Sequence, residues 1–212
     1  MIRLHDCRCS ANGHKVRLLL SQLDRPYQLI EVDIFGGESK TDAYLALNPD
    51  GRIPLLELEG GRTLPESNAI LCYLAEGTPL FSADPFERAQ ILQWLFFEQN
   101  RIEPVLGTAR FWLMTGRAAT RRQALEIKQA QGTEALGVME RHLRSRTFLV
   151  GERYTIADLA LHAYSQLAPD AGIDLHPFPA VRAWLDRVRA QPGQVPGVGP
   201  YPAHAMVEAP CR

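Results

Sequence analysis

The chain has little net charge and no long apolar segment. It has 212 residues, of which 23 are Lys or Arg and 24 are Asp or Glu, so the net charge is −1. Binding to nucleic acid or to a membrane surface depends on a basic face, so this balance favours neither partner. No apolar run approaches the roughly 20 residues that cross a bilayer, and residues 1–6 lack the apolar segment of a secretory signal. We therefore expect a cytoplasmic protein.

Cysteine is also scarce. The four cysteines, at positions 7, 9, 72 and 211, have the spacing of neither a disulfide framework nor a zinc site, so we expect no metal cofactor. Cys7 and Cys9 are separated by one residue, whereas redox pairs usually have two between them. This pattern favours a small buried thiol at Cys7, and it fits a reducing compartment.

The composition, 46% hydrophobic and 22% charged, is that of a globular protein with one large domain or two modest ones, and we find no internal repeat. In the first part, strand and helix patterns follow the order βαβ, α, ββα, which predicts an α/β unit of the thioredoxin kind. The predicted strands are 2–5, 29–34, 55–58 and 62–64, and the predicted helices are 13–23, 42–47 and 66–75, the last with Ile70, Tyr73 and Leu74 on one side.

Only helical periodicity follows residue 84. A helix should run from 84 to 114 with a kink at Pro104. Capping boxes at 120–123 and at Thr155–Asp158 should begin two more helices, and losing the second cap would cost about 1 kcal/mol. Buried positions should include Leu136, Met139, Leu143, Val181, Trp184, Leu185 and Val188. The proline-rich tail after residue 190 is too interrupted for a helix or strand.

The stretch from Asn48 to Leu58 combines turn signals with a short apolar strand. Asn-Pro and Asp-Gly mark the turn, and Pro54 begins the strand. A cis bond before Pro54 would aim the main-chain N–H and C=O of Ile53 outward, where an extended ligand backbone could pair with them. The sequence leaves that isomer open, and an ordinary hairpin is the alternative.

Glu66-Ser67-Asn68 begins a helix shortly afterwards. The unpaired N–H groups and the positive end of the helix dipole attract a carboxylate. An exposed helix cap is the plain alternative. Together with Ile53, this helix start indicates a site for a small peptide with a free α-carboxylate.

The combination Asn-Pro-x-Gly-x-Ile-Pro-x-Leu followed by Glu-Ser resembles the glutathione-binding half of cytosolic glutathione S-transferases, and the resemblance spans about residues 3–190. It implies a thioredoxin-like domain over 1–77, an all-helical domain over 84–190 and a proline-rich tail over 191–212. It also implies glutathione as co-substrate and a homodimer, for which Trp94, Phe96 and Phe97 are candidate contacts.

The resemblance also implies where the thiol of glutathione would lie. Bacterial members have the pattern Ser-x-Asn-x-x-Lys-Val-Arg-Leu, which aligns with the segment from Ser10 to Leu18. Ser10 lacks useful acidity, so its role would be to donate an O–H hydrogen bond to the thiolate, aided by helix N–H groups. Cys9, which could form a mixed disulfide, and Asn12 are rival candidates. His14 is either a third rival or a residue at the solvent edge.

By the same resemblance, Ser67 would take the γ-glutamyl carboxylate and Glu66 its ammonium group. Lys40 is either the contact for the glycyl carboxylate or a solvated lysine, and Arg52 assists without an assigned partner. Thr155 and Asp158 are structural and would fix their helix against the one that starts after Asp84. The glutathione-binding set is Lys40, Arg52, Ile53, Pro54, Glu66 and Ser67; the second-substrate set is Arg110, Phe111 and Met114, for which plain core is the alternative.

We expect a glutathione transferase that acts on small hydrophobic electrophiles. The first alternative is a glutathione-dependent thiol-disulfide oxidoreductase or peroxidase that uses Cys9. The second is a non-catalytic interaction protein of the same fold. The identity of the electrophile, and whether the tail folds over the substrate pocket or hangs loose, stay open at this level.

Overall fold

The computed structural model describes residues 1–207, so Pro210 and Cys211 lie outside the described part. The chain divides into two compact units. The first unit comprises residues 1–76 and the tail segment 192–205; the helical unit comprises 77–191 together with Met206 and Val207 of the described tail. Over the described residues, no helix is both long and apolar enough to cross a membrane.

The first unit has the thioredoxin-like order that the sequence predicts. Its sheet has the order β2-β1-β3-β4, in which β1 runs parallel to β2, and β3 is antiparallel to both β1 and β4. The strands are β1 Ile2–Asp6, β2 Tyr27–Glu31, β3 Leu55–Glu57 and β4 Thr63–Pro65. The helices are α1 Ala11–Gln22, α2 Asp42–Leu45 and α3 Ser67–Ala75, with a 3₁₀ turn at Glu38–Lys40.

The three apolar residues that the sequence places on one side of helix α3 differ in burial. Tyr73 is 48% exposed, whereas Ile70 and Leu74 are buried. The buried stripe of α3 continues through Leu71 and Ala75, so it follows the i, i+3, i+4 spacing of one helical face. Tyr73 lies at the edge of that buried face, and its side chain points to solvent.

The helical unit carries the remaining helices. They are α4 Pro85–Phe97, a π-helical segment Glu98–Gly107, α5 Thr108–Met114, α6 Arg122–Leu143, α7 Ile156–Ser165 and α8 Pro179–Arg189, with 3₁₀ turns at Arg117–Thr120 and Pro169–Ala171. The helical path from 85 to 114 therefore changes its hydrogen-bonding pattern around Pro104, a residue that cannot donate to the helical ladder. The seven core positions predicted in α6 and α8 are all buried.

The two predicted capping boxes have opposite outcomes. The one at Thr120 is wrong, because Thr120 ends a 3₁₀ turn and its hydroxyl donates to the carbonyl of Arg117 at 3.3 Å. Arg121 precedes α6 without a side-chain cap. The box at the start of α7 is confirmed, with Thr155 and Asp158 exchanging side-chain-to-backbone bonds.

Asp158 does more than cap α7. Its carboxylate also accepts from the main-chain N–H of Leu149 and from the indole N–H of Trp184, both at 2.9 Å. The resemblance implies a link to the helix that starts after Asp84, whereas these partners lie in α8 and in the loop before α7. Burial raises the pKa of Asp158 to about 6, while the donated hydrogen bonds act in the opposite direction.

Candidate functional site

The Ile53–Pro54 peptide bond is cis. The loop before it is held from inside by two side chains that donate to the carbonyl of Arg52: the hydroxyl of Tyr44 and the amide of Asn48, both at 2.8 Å. Asn48 is 2% exposed. The turn residues that the sequence singled out thus position the main chain just ahead of β3.

Ile53 packs its side chain inward, against Val32, Tyr44 and Leu55. Among the described residues, its main-chain N–H and C=O make no hydrogen bond. Most main-chain groups in folded proteins are paired, so an unpaired donor and acceptor beside a strand form a docking edge for an extended peptide.

The start of α3 is a second feature of the site. Glu66 is exposed and has a φ of 69°, in the left-handed region that residues other than glycine rarely adopt. The side chain of the N-cap residue, Glu66, makes no cap to the helix, and the N–H groups of a first helical turn have no acceptor within the helix itself. Backbone strain of this kind is typical of ligand sites.

Ser67 joins the starts of α1 and α3. Its hydroxyl donates to the amide oxygen of Asn12 at 3.1 Å. The ammonium of Lys15 donates to the Ser67 hydroxyl at 3.3 Å and to the amide oxygen of Asn68 at 3.4 Å. Lys15 is fully buried, and a buried ammonium favours a carboxylate nearby.

Lys15 and Asn68 were missed as site residues by sequence reasoning. The signals available were the position of Lys15 in the bacterial pattern and the place of Asn68 directly after Ser67. Periodicity puts Lys15 on a helix without indicating that its side chain turns inward to meet a residue 52 positions away.

Ser10 is the N-cap of α1. Its hydroxyl oxygen accepts from the N–H of Gly13 at 3.0 Å, and its own N–H donates to the carbonyl of Cys7 at 2.9 Å, closing a tight turn. Within the described chain the hydroxyl proton has no acceptor. A capping serine of this kind can still donate its O–H to a ligand.

Residues 7–10 form the thiol loop, and the buried side chain of Arg17 on α1 holds this loop in place. The guanidinium of Arg17 pairs with the buried Asp6 and also donates to the carbonyls of Cys7 and Arg8, at 3.5 and 3.4 Å. Gly13 allows this arrangement, because a Cβ there would lie 1.8 Å from a carboxylate oxygen of Asp6.

Both cysteines of the thiol loop are buried, Cys7 at 9% exposure and Cys9 at 4%. The pKa of Cys7 falls to about 7, chiefly because the Cys9 thiol donates a hydrogen bond to its sulfur, with the Cys9 N–H adding a second. Burial and the carboxylates of Glu31 and Asp33 oppose this fall. The Cys9 thiol is therefore engaged with Cys7.

The prediction that His14 lies at the solvent edge is wrong. It is 3% exposed, and its Nδ1 has no partner in the described chain. Burial lowers its pKa, and a hydrogen bond to the carbonyl of Pro196 partly opposes that effect. The residue is buried because part of the tail lies against it.

The tail segment 192–205, which we call the strap, packs on the first unit. The N–H of Gly199 donates to the carbonyl of Arg8 at 2.9 Å. Farther along, Tyr201 meets the ring of Phe35 edge-on. The imidazole of His204 bonds Asp33 at 3.0 Å, which lowers the pKa of that carboxyl.

Lys40 and Arg52 lie beside the loop before Ile53. The ammonium of Lys40 donates to the carbonyl of Asp50 at 2.8 Å, and the guanidinium of Arg52 pairs with the Asp50 carboxylate at 2.9 Å. Both side chains are on the surface. Two cations thus border the same main-chain edge.

The predicted second-substrate residues lie on α5 of the helical unit. Arg110 is buried and pairs with Asp170 at 3.2 Å. The guanidinium of Arg117 lies 4.7 Å from the ring centre of Phe111, and Met114 is 41% exposed. Of the three, Met114 is the most exposed. In the described chain no group of His, Cys, Asp and Glu could hold a metal ion.

Two family profiles match this chain. The glutathione S-transferase N-terminal domain matches residues 9–76, and the glutathione S-transferase C-terminal domain matches residues 102–192. Disulfide-bond oxidoreductase YfcG of Escherichia coli (strain K12) is 36% identical over 188 residues, which are 85% of this chain and 87% of YfcG.

Solved structures agree with these matches. A glutathione S-transferase from Pseudomonas fluorescens superposes with a TM-score of 0.90 at 44% identity, over 92% of this chain and 98% of its own. Ure2p in complex with glutathione gives 0.84 at 30% identity, over 91% and 95%. The profiles cover most of the chain and the fold agrees, so this protein belongs to the glutathione S-transferase family.

Proposed function

We propose that the first unit binds glutathione in extended form, with its cysteinyl main chain paired to Ile53. The unpaired N–H and C=O of Ile53 are the observation that carries this proposal. Such pairing is how an extended peptide adds to a strand edge. The solved complex of Ure2p with glutathione supports the choice of ligand.

The γ-glutamyl end fits the start of α3. Its carboxylate would accept from the first N–H groups of the helix and from the Ser67 hydroxyl, whose single proton would turn from Asn12 to the ligand. The Lys15 ammonium lies 3.3 Å from that hydroxyl. The exposed Glu66 carboxylate is suited to the ammonium group. At the other end, Lys40 and Arg52 supply positive charge for the glycyl carboxylate.

Ser10 then stabilises the thiolate. Lowering the pKa of a thiol from about 8.5 to about 6.5 requires roughly 2.7 kcal/mol of preferential binding of the charged form. One hydrogen bond to a charged group supplies about 1.5–3 kcal/mol, and the N-terminus of α1 adds its dipole. Glutathione held there would be largely ionised at neutral pH and ready to attack.

We infer that this thiolate attacks small hydrophobic electrophiles, so that the protein is a glutathione transferase. A second candidate, the reduction of disulfides with glutathione, is favoured by the 36% identity to a disulfide-bond oxidoreductase. The test is to supply a chlorodinitrobenzene and hydroxyethyl disulfide in turn. A higher kcat/KM for conjugate formation with the chlorodinitrobenzene supports the first activity. A higher kcat/KM for release of glutathione disulfide with hydroxyethyl disulfide supports the second.

Replacing Ser67 should weaken glutathione binding. Ser67→Ala removes a hydroxyl that would bond the γ-glutamyl carboxylate, and a hydrogen bond to a charged group accounts for about ten- to a hundredfold in Kd. Titration calorimetry on the reduced protein measures the change. Ser82→Ala, a similarly buried serine of the helical unit, is the matched control and should leave Kd within about twofold. Absence of saturation by wild-type protein at millimolar glutathione would contradict the site itself.

We also propose a cytoplasmic homodimer. Of the three aromatic residues predicted for the contact, Trp94 is buried, whereas Phe96 on α4 is 65% exposed. An exposed aromatic ring is a typical anchor of an interface. Phe96→Glu should therefore shift the sedimentation of the protein toward the monomer. Ile127→Glu, at an apolar position of α6 that is 52% exposed, is the matched control and should leave sedimentation unchanged. A wild-type protein that sediments as a monomer at micromolar concentration would refute the dimer.

A further inference from the structure

The thiol loop contains two thiols that the proposed chemistry of glutathione does not use. Cys7 and Cys9 are both buried in one turn, which the bond from the Ser10 N–H to the Cys7 carbonyl closes, and hydrogen bonding by Cys9 lowers the pKa of Cys7. Cys72, by contrast, belongs to α3 and is partly exposed. A pair of adjoining thiols in one turn is the arrangement from which a disulfide can form.

The chain geometry permits that bond. A disulfide needs Cα atoms within about 7 Å of each other, and two residues span at most roughly 7 Å even when extended. Here the segment is folded into a turn by the bond from the Ser10 N–H to the Cys7 carbonyl, 2.9 Å long. Both thiols are buried in this turn.

We propose that Cys7 and Cys9 are a redox pair, oxidised to an intrachain disulfide by small disulfides such as glutathione disulfide and reduced again by glutathione. This inference concerns protein thiols and does not depend on how the glutathione thiolate is held.

The oxidation proceeds by two exchanges. The Cys7 thiolate attacks one sulfur of glutathione disulfide, a protein–glutathione disulfide forms, and one glutathione leaves as thiolate. Cys9, after losing its proton to solvent, attacks the Cys7 sulfur and expels the second glutathione thiolate. Two protein thiols become one disulfide while one glutathione disulfide becomes two glutathione molecules. The return reaction runs the same steps backwards with two glutathione molecules.

Cys7 is the attacking thiol. The pKa of about 7 leaves a large fraction of Cys7 as thiolate at neutral pH, compared with a few per cent for an ordinary thiol. Cys9 donates its proton toward Cys7 and is the less exposed of the two, so it is suited to the second, resolving step.

The strap controls access to the pair. Arg8, the residue between the cysteines, accepts the bond from the Gly199 N–H. The strap between 192 and 202 has no helix or strand, and segments of this kind open locally at small cost in free energy. Exchange therefore needs local opening without unfolding of the first unit.

Peptide mapping tests the pair directly. The reduced full-length protein is exposed to glutathione disulfide, quenched with an alkylating reagent, unfolded and cut with trypsin. Trypsin cleaves after Arg8, so the thiols fall on separate peptides, Leu4–Arg8 and Cys9–Lys15. We expect the two peptides to stay linked, with the mass of both thiol peptides less two hydrogens, while Cys72 carries the alkyl group. Both peptides recovered separately and alkylated would overturn the proposal.

Two variants assign the order of attack. Cys9→Ser should accumulate glutathione on Cys7, and Cys7→Ser should leave Cys9 unmodified over the same time. Equal modification in both variants would overturn the assigned roles. Hydroxyethyl disulfide as a second oxidant separates this result from glutathione binding: failure of the glutathione site alone leaves the linked peptides formed with hydroxyethyl disulfide.

Discussion

Replacing Ser10 with alanine should lower kcat/KM for conjugation about ten- to a hundredfold at neutral pH. The loss corresponds to one hydrogen bond to a charged group, about 1.5–3 kcal/mol, at about tenfold for each 1.36 kcal/mol. The deficit should shrink as the pH rises past about 8.5, where free glutathione ionises without help. The rate of conjugation measured against pH, with the ultraviolet absorbance of bound thiolate, checks both expectations.

The controls separate the hydroxyl proton from the helix cap. Ser10 also caps α1 through the Gly13 N–H, and loss of that cap costs about 1 kcal/mol of stability. Ser10→Thr keeps both functions and should restore most of the activity. Ser10→Asp keeps the cap but sets a negative charge beside the thiolate, so its activity should fall below that of Ser10→Ala. The opposite pattern, in which Cys9→Ala lowers conjugation and Ser10→Ala does not, would transfer the role to Cys9.

Asp158→Ala should destabilise the helical unit by roughly 3–5 kcal/mol, because it leaves buried donors without an acceptor. Four groups donate to this carboxylate at 2.9–3.2 Å: the N–H groups of Leu149 and Thr155, the Thr155 hydroxyl and the Trp184 indole. The cap alone would account for about 1 kcal/mol. Urea unfolding followed by tryptophan fluorescence measures the difference.

Asp186→Ala is the matched control, because the side chain of Asp186 on α8 is 75% exposed. Substitutions at such surface positions change stability by about 0.5 kcal/mol or less. Equal effects of the two substitutions would show that the buried network does not stabilise the fold.

The raised pKa of Asp158 predicts that the stability of the fold depends on pH. The folded pKa of Asp158, about 6, lies above the ordinary value of 3.8, so the folded state holds a proton that the unfolded chain releases. Its contribution to stability is therefore full below the unfolded pKa and is lost as the pH rises through about 6. Asp158→Asn does not titrate, so the stability difference between wild type and this variant should shrink across that window. A constant difference from about pH 4 to 7 would contradict the raised pKa.

The site was predictable where its signals are local in sequence. The turn before Pro54 and the helix start at Glu66-Ser67 each depend on residues within a few positions, whose backbone preferences set the turn or the helix start. The capping box at Thr155 was predictable for the same reason. The cap at Ser10 was not predicted, because the sequence pattern placed the start of that helix at residue 13. The box at Thr120 failed, because a 3₁₀ turn ends there and takes the hydroxyl.

By itself, the sequence determined the order of strands and helices, the family resemblance, and the turn and helix start that shape the candidate site. Only the tertiary structure decided that Lys15 meets Ser67 52 positions away, that Asp158 reaches Trp184, and that the strap lies on the thiol loop. Periodicity and capping act over one or two helical turns. Which side chains become buried together depends instead on how distant segments pack, and a one-dimensional pattern does not contain that information.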